Sequence, residues 1–100
     1  MKNESKTFTR TKHRLEEEKK YLIKRLNIIE GQVRGIKQMI EDNRYCDDVL
    51  VQISAVNKSL KSLGNTMIKN HLSTCVVKDI KDNNLEIIDD VANLFEILNK

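Results

Sequence analysis

Three side chains in this chain of 100 residues have the chemistry to hold a soft metal ion or to act as thiol nucleophiles: Cys46, His71 and Cys75. His71 and Cys75 are four residues apart, so on a helix they share a face and can grip one ion. Two thiolates and one imidazole are a soft donor set. Cu(I) accepts three-coordinate geometry from such a set, whereas zinc asks for a fourth ligand. A thiol beside a histidine base is also the kit of a covalent catalyst, but nothing in the sequence supplies oxyanion donors or a substrate pocket, and the chain is read as a non-enzyme. Free cysteines are also common as small buried hydrophobes. Spacing alone leaves these readings open.

The element that must position the three residues is the stretch from Tyr45 to Val77. It contains no proline, and Val49, Ile53, Val56, Leu60, Leu63 and Met67 recur at alternating steps of four and three, the seam of a long amphipathic helix. Cys46 precedes His71 by 25 residues, roughly 37 Å along such a rod at 1.5 Å per residue. One unbroken helix cannot bring the three together. An antiparallel second copy can, with Cys46 of one chain meeting His71 and Cys75 of the other, giving two sites per two-fold dimer. A break at Gly64-Asn65 is the alternative, and the seam passes through Gly64 without changing phase.

The first long helix is expected from about Lys12 to Glu41, with Leu15, Leu22, Leu26, Ile29, Val33, Ile36 and Ile40 as its seam. From Leu22 this is a 3.5-residue repeat, the mark of helix-on-helix packing. Gly31 and Gly35 are expected to let helices approach closely. Asp42-Asn43-Arg44 reads as the turn of an antiparallel helical hairpin. Asp47 and Asp48 complement the dipole of the second helix. After a polar stretch, Asn83 with Glu86 resembles a capping box for a short third helix reaching about Leu98, with Ile88, Val91, Phe95 and Leu98 on one stripe. Residues 1–13, including His13, are polar and aperiodic and are expected to form a flexible arm before one helical domain over residues 14–100.

Charged residues are a third of the chain and aromatics 4%, so a lone protomer would have a thin core. Two helices of about thirty residues span roughly 45 Å each and outreach a short third one. An obligate oligomer is expected. Net charge is +3, but all five arginines (Arg10, Arg14, Arg25, Arg34, Arg44) fall in the first 44 residues. That asymmetry suggests an anionic partner for the N-terminal half, with a solvated helix face as the plain alternative. No apolar run approaches membrane-span length, and the N-terminus lacks a signal core. The chain is therefore read as soluble and cytosolic, with its two cysteines reduced.

The run Arg25-Leu26-Asn27-Ile28-Ile29-Glu30-Gly31-Gln32-Val33-Arg34-Gly35-Ile36, followed by Met39-Ile40-Glu41-Asp42, Tyr45-Cys46, Asp48-Val49-Leu50, Gln52-Ile53-Ser54-Ala55-Val56 and His71-Leu72 before Cys75, resembles the CsoR/RcnR family of bacterial transcriptional repressors. The likeness covers about residues 22–77. It implies an all-α fold without a helix-turn-helix: a three-helix protomer with two long antiparallel helices and a short third, assembling as an antiparallel dimer and a dimer of dimers. It implies that the metal-free homotetramer binds operator DNA and that an inducer releases it, with no membrane or small-molecule substrate involved.

Within that family the Cys, His, Cys pattern is that of the copper sensors, so Cys46, His71 and Cys75 are expected to hold Cu(I). A persulfide-responsive relative would lack the histidine. A nickel-responsive one typically adds a histidine near the first helix, where His13 lies, and often replaces the last cysteine. The formaldehyde-sensing branch has a proline after the initiator Met, where this chain has Lys2. The resemblance also assigns Tyr45 and Glu86 to the far nitrogen of the ligating histidine, a bond that would fix its tautomer and couple occupancy to the third helix. It assigns DNA contact to Arg25 and to a position in the second helix for which Lys61 stands here, near Lys58 and Ser62. Arg14 and Arg34 join these on charge alone.

Overall fold

The computed structural model describes residues 14–100. Helix α1 (Glu16–Glu41) and helix α2 (Cys46–His71) form an antiparallel hairpin. Helix α2 does not end at His71. It continues through a π-helical turn (Leu72–Val76) into a last α-helical piece (Val77–Lys81), so the second rod outlasts the expected end at Val77. Helix α3 (Glu86–Leu98) folds back along it. The fold is all-α, with no strand among the described residues. The protomer extends 56 × 29 × 26 Å. The expected arm and His13 lie outside the described residues.

The local signals explain the boundaries. Glu16, Glu17 and Glu18 occupy the first turn of α1, where the helix dipole favours negative charge. Both long helices stop in the same way. Asn43 (φ 56°) and Asn83 (φ 64°) take the left-handed conformation, and the next residue donates back across the turn: Arg44 N–H to the Met39 carbonyl at 2.9 Å, and Asn84 N–H to the Asp79 carbonyl at 2.8 Å. With Asn43 and Asn83 donating to the carbonyls of Ile40 and Ile80, these are Schellman closures with asparagine where glycine is more usual. Asn83 therefore does not cap α3. The cap position is Leu85, without a side-chain hydrogen bond, and the expected Asn83–Glu86 capping box does not form.

The apolar seams split between two duties. Leu22 and Ile29 of α1 and Val56 and Leu63 of α2 are buried against one another, with Ile36 packed on them. The alternate positions, Leu26, Val33 and Ile40 on α1 and Ile53, Leu60 and Met67 on α2, stay exposed. Only six hydrophobic side chains are buried among the described residues, and the buried Gln32 Oε1 has no hydrogen-bond partner. The protomer leaves half of each seam without a partner.

Within the protomer, glycine makes room at Gly64 rather than at Gly31 or Gly35. A Cβ on Gly35 would meet nothing within 4 Å, and one on Gly31 only the Arg34 guanidinium at 3.8 Å. Neither supports close helix packing within the protomer. At Gly64 a Cβ would lie 2.6 Å from a Leu98 methyl. The helix runs through Gly64 unbroken, and the missing side chain there is the socket for the end of α3.

Candidate metal centre and nucleic-acid face

His71 closes the regular part of α2, and Cys75 lies in the π-helical turn directly after it. Both are half-buried. The turn widens where two hydroxyls compete for one carbonyl: Ser73 Oγ and Thr74 Oγ1 donate to the Asn70 oxygen at 3.1 and 2.8 Å. Such back-bonding loosens the α-helical ladder, and π-turns recur at functional sites. Thr74 Oγ1 also stands 3.7 Å from the Cys75 sulfur. One stretch of the rod thus carries an imidazole and a thiol four residues apart, both candidate donors for a soft ion.

The third donor is at the other end. Cys46 is the first residue of α2 and is exposed. The 26-residue helix separates it from His71 by roughly 37 Å at the rise of an α-helix. Among the described residues no group of three potential metal-ligating side chains comes together in one protomer. By residue type the three candidates suit Cu(I), and within one protomer Cys46 is remote from His71 and Cys75.

Tyr45 is the cap residue of α2 beside Cys46. Its carbonyl accepts from the amides of Asp48 and Val49 at 3.1 and 3.3 Å, and the residue is 72% exposed. Glu86 opens α3 and is exposed. Tyr45 lies beside Cys46 at the start of the rod, and Glu86 follows the rod's far end.

The basic residues separate into three places. Arg25 donates to the Tyr21 hydroxyl at 2.8 Å and to Ser62 Oγ of α2 at 3.2 Å, with its guanidinium 5.7 Å from the Tyr21 ring centroid. Two of its five N–H donors are thereby oriented and the rest stay free. Ser62 also lines a shallow groove with Lys58, Lys61, Asn65, Thr66 and Lys69. Arg25 and Lys61 therefore share a face. Among the described residues the ion pairs are Arg14–Glu18 at 3.4 Å and Arg44–Asp48 at 3.3 Å, so the three lysines of the groove are not neutralised. Arg14 is held by Glu18 on the rim of another groove, with Leu22, Leu26 and Met67. Arg34 lies nine residues beyond Arg25, about two and a half turns, on the opposite side of α1. Tyr21, Thr66 and Lys69 are not singled out by the sequence, and Ser62 is marked there only as a neighbour of Lys61. The recurrence of polar and basic residues at Lys58, Ser62, Asn65 and Lys69 was the available signal.

Comparison with known proteins places this geometry. Residues 18–100 match the profile of the family described as metal-sensitive transcriptional repressor. The chain is 40% identical over 99 residues to the copper-sensing transcriptional repressor CsoR of Bacillus subtilis, covering 98% of this chain and 95% of that one. It is 46% identical over 70 residues to the copper-sensing repressor RicR of Mycobacterium tuberculosis, covering 70% and 73%. Its fold superposes on the crystal structure of the copper-sensing repressor CsoR with Cu(I) from Geobacillus thermodenitrificans with a TM-score of 0.81 at 40% identity, over 90% of this chain and 95% of that one. The nickel-responsive transcriptional regulator InrS superposes with a TM-score of 0.67 at 27% identity, over 89% and 97%. An all-α hairpin protomer with a Cys, His, Cys donor set, matched along nearly its whole length, belongs to the family of metal-sensitive transcriptional repressors whose CsoR/RcnR motif its sequence carries.

Proposed function

We propose that this chain is a copper(I)-responsive DNA-binding repressor, not an enzyme, whose metal-free homotetramer holds operator DNA in the cytoplasm and releases it when Cu(I) is bound. Release would derepress copper-resistance genes. The observation that carries the reading is the placement of the candidate donors: His71 and Cys75 four residues apart at one end of a helical rod, Cys46 at the other. An antiparallel pair of protomers joins the two halves, with Cys46 of the partner subunit completing the set. The exposed stripes of Leu26, Val33 and Ile40 and of Ile53, Leu60 and Met67 supply the apolar surface for that pairing, and a dimer of dimers gathers several basic faces for one duplex.

The copper preference follows from the two thiolates and one imidazole and agrees with the copper-sensing relatives. Tyr45 and Glu86 are assigned to hold the tautomer of His71 in the assembly. Arg25 and Lys61 are assigned to DNA phosphates, as neighbours on one un-neutralised face; Arg14 and Arg34 rest on charge alone. No helix among the described residues is long and apolar enough to cross a membrane, in keeping with action on DNA. The coupling is differential affinity, so DNA must weaken Cu(I) binding by the factor by which Cu(I) weakens DNA binding.

A nickel-responsive reading has the likeness to InrS behind it, and a persulfide-responsive one the two free cysteines, Cys46 exposed and Cys75 half-buried. An anaerobic Cu(I) titration of reduced protein against a competing chelator decides among them. One tightly held Cu(I) per chain, lost in His71→Ala, is expected. Mixed heterodimers of Cys46→Ala and Cys75→Ala chains should regain one site. Tight Ni(II) binding with weak Cu(I) binding would favour nickel. A response to persulfide that survives His71→Ala would favour thiol crosslinking.

A further inference from the structure

Arg25 is held differently from its fellow arginines. Arg14 and Arg44 each pair with a carboxylate four residues on, Glu18 at 3.4 Å and Asp48 at 3.3 Å. Arg25 has no carboxylate partner among the described residues, and both of its holders are neutral. One terminal nitrogen donates to the Tyr21 hydroxyl at 2.8 Å, one turn back on α1. The other donates to Ser62 Oγ at 3.2 Å, 37 residues away on α2. The Tyr21 ring centroid is 5.7 Å from the guanidinium, within cation–π reach. Arg25 is half-buried between these two exposed residues.

The difference bears on what Arg25 can do. A carboxylate would fix the side chain and offset its charge toward an anion. Two hydroxyls fix it and leave the charge whole. Three of the five N–H donors remain for an outside acceptor. A loose arginine loses rotamer freedom when it grips a phosphate, whereas one already ordered by folding has less to lose. Ser62 also lines the groove of Lys58, Lys61 and Lys69, so the anchored guanidinium stands at the edge of the lysine face. Because one anchor is on α1 and the other on α2, the direction of the fork is tied to the packing of the hairpin.

We propose that Tyr21 and Ser62 are positioning residues that hold Arg25 as a preset fork for a DNA phosphate. The proposal rests on the repressor reading and adds to it the two hydroxyls through which the arginine is aimed. Neither hydroxyl carries charge to the duplex, and each acts through the guanidinium. Losing one of them frees the arginine without removing it. The expected cost is that of one hydrogen bond of ordinary net worth, about threefold to tenfold in affinity.

The test is fluorescence anisotropy, over a series of salt concentrations, of a labelled duplex that the wild-type protein selects from a randomised DNA pool. Tyr21→Phe keeps the ring and removes only the acceptor. It should weaken binding about threefold to tenfold and leave the slope of log affinity against log salt unchanged, because the phosphate contact still forms. Ser62→Ala should do the same, and Ser62→Thr, which keeps a hydroxyl, should bind as the wild type does. In an Arg25→Ala background, whose salt slope is already lowered, Tyr21→Phe and Ser62→Ala should cost nothing further. Equal losses from Tyr21→Phe with and without Arg25 would mean that Tyr21 acts on its own, and would overturn the proposal. Unchanged binding by Arg25→Ala would overturn it too. A wild-type protein that selects no duplex would refute the repressor reading, whereas a selected duplex bound alike by wild type, Tyr21→Phe and Ser62→Ala overturns the positioning role only.

Discussion

Replacing Gly64 by alanine separates global stability from the docking of α3. The new Cβ would stand 2.6 and 2.8 Å from the two Leu98 methyls and 3.3 Å from its Cγ. Carbon–carbon contacts are most favourable near about 3.5–4.0 Å, so the Leu98 side chain must retreat by roughly an ångström. Leu98 is only part-buried and its methyls are the far end of a flexible side chain, so this overpacking costs about 1 kcal/mol, the low end for a packed site. Alanine in place of glycine inside a helix returns about 1 kcal/mol. The two nearly cancel in the stability of the whole chain, but not locally. The helical gain persists in α2 whether or not α3 is docked, whereas the clash exists only when α3 is docked. The docking equilibrium therefore bears the full cost, roughly fivefold at about 1.4 kcal/mol per decade. Native-state hydrogen exchange reads this directly. In Gly64→Ala the amides of α3 should exchange faster by that factor, while those of α1 and the first half of α2 hardly change and the melting temperature stays within a few degrees. Gly35→Ala, whose Cβ meets nothing within the protomer, is the control and should leave α3 exchange untouched. Unchanged α3 exchange in Gly64→Ala, with a melting temperature raised by the full alanine gain, would refute the socket.

Two further predictions follow from the exposed seams and the lysine groove. Leu60 is 44% exposed in the protomer, and covering that remainder is worth about 1 kcal/mol in each of two copies; Leu60→Glu adds the cost of burying a charge, so sedimentation should show self-association weakened by at least about a hundredfold, and unchanged sedimentation would place the interface elsewhere. Lys61→Ala and Arg25→Ala should each lower the slope of log affinity for DNA against log salt by about one per protomer in contact, while Arg34→Ala leaves it unchanged; an equal loss from Arg34→Ala would mean that both sides of α1 face the duplex.

The sequence made the hairpin legible because its signals are local. The heptad steps, the Asp42-Asn43-Arg44 turn and the absence of proline all point one way, and α1 and α2 follow them. Periodicity could not tell which half of each seam packs inside the protomer, since Leu22 and Leu26 contribute alike to a moment and only the crossing of two helices separates them. The capping box failed for a related reason. Asparagine suits both a helix cap and the left-handed conformation, and Asn83 takes the second role. Gly31 and Gly35 drew attention by their spacing, whereas Gly64 is needed because Leu98, far along the chain, arrives beside it. The π-helical turn depends on hydroxyls meeting the Asn70 carbonyl, and no residue spacing announces it. The candidate donors were legible from residue type and order, and their division between the two ends of α2 from the rise of a helix alone.

The central claim is that Cu(I) bound by Cys46, His71 and Cys75 weakens the hold on DNA. The most direct measurement is anisotropy of the preformed protein–DNA complex, titrated anaerobically with chelator-buffered Cu(I). Release of the duplex at one Cu(I) per chain, absent in His71→Ala protein that still binds DNA without metal, is the predicted result. A complex that keeps its duplex at full Cu(I) occupancy, or that releases it equally with His71→Ala, would contradict the claim.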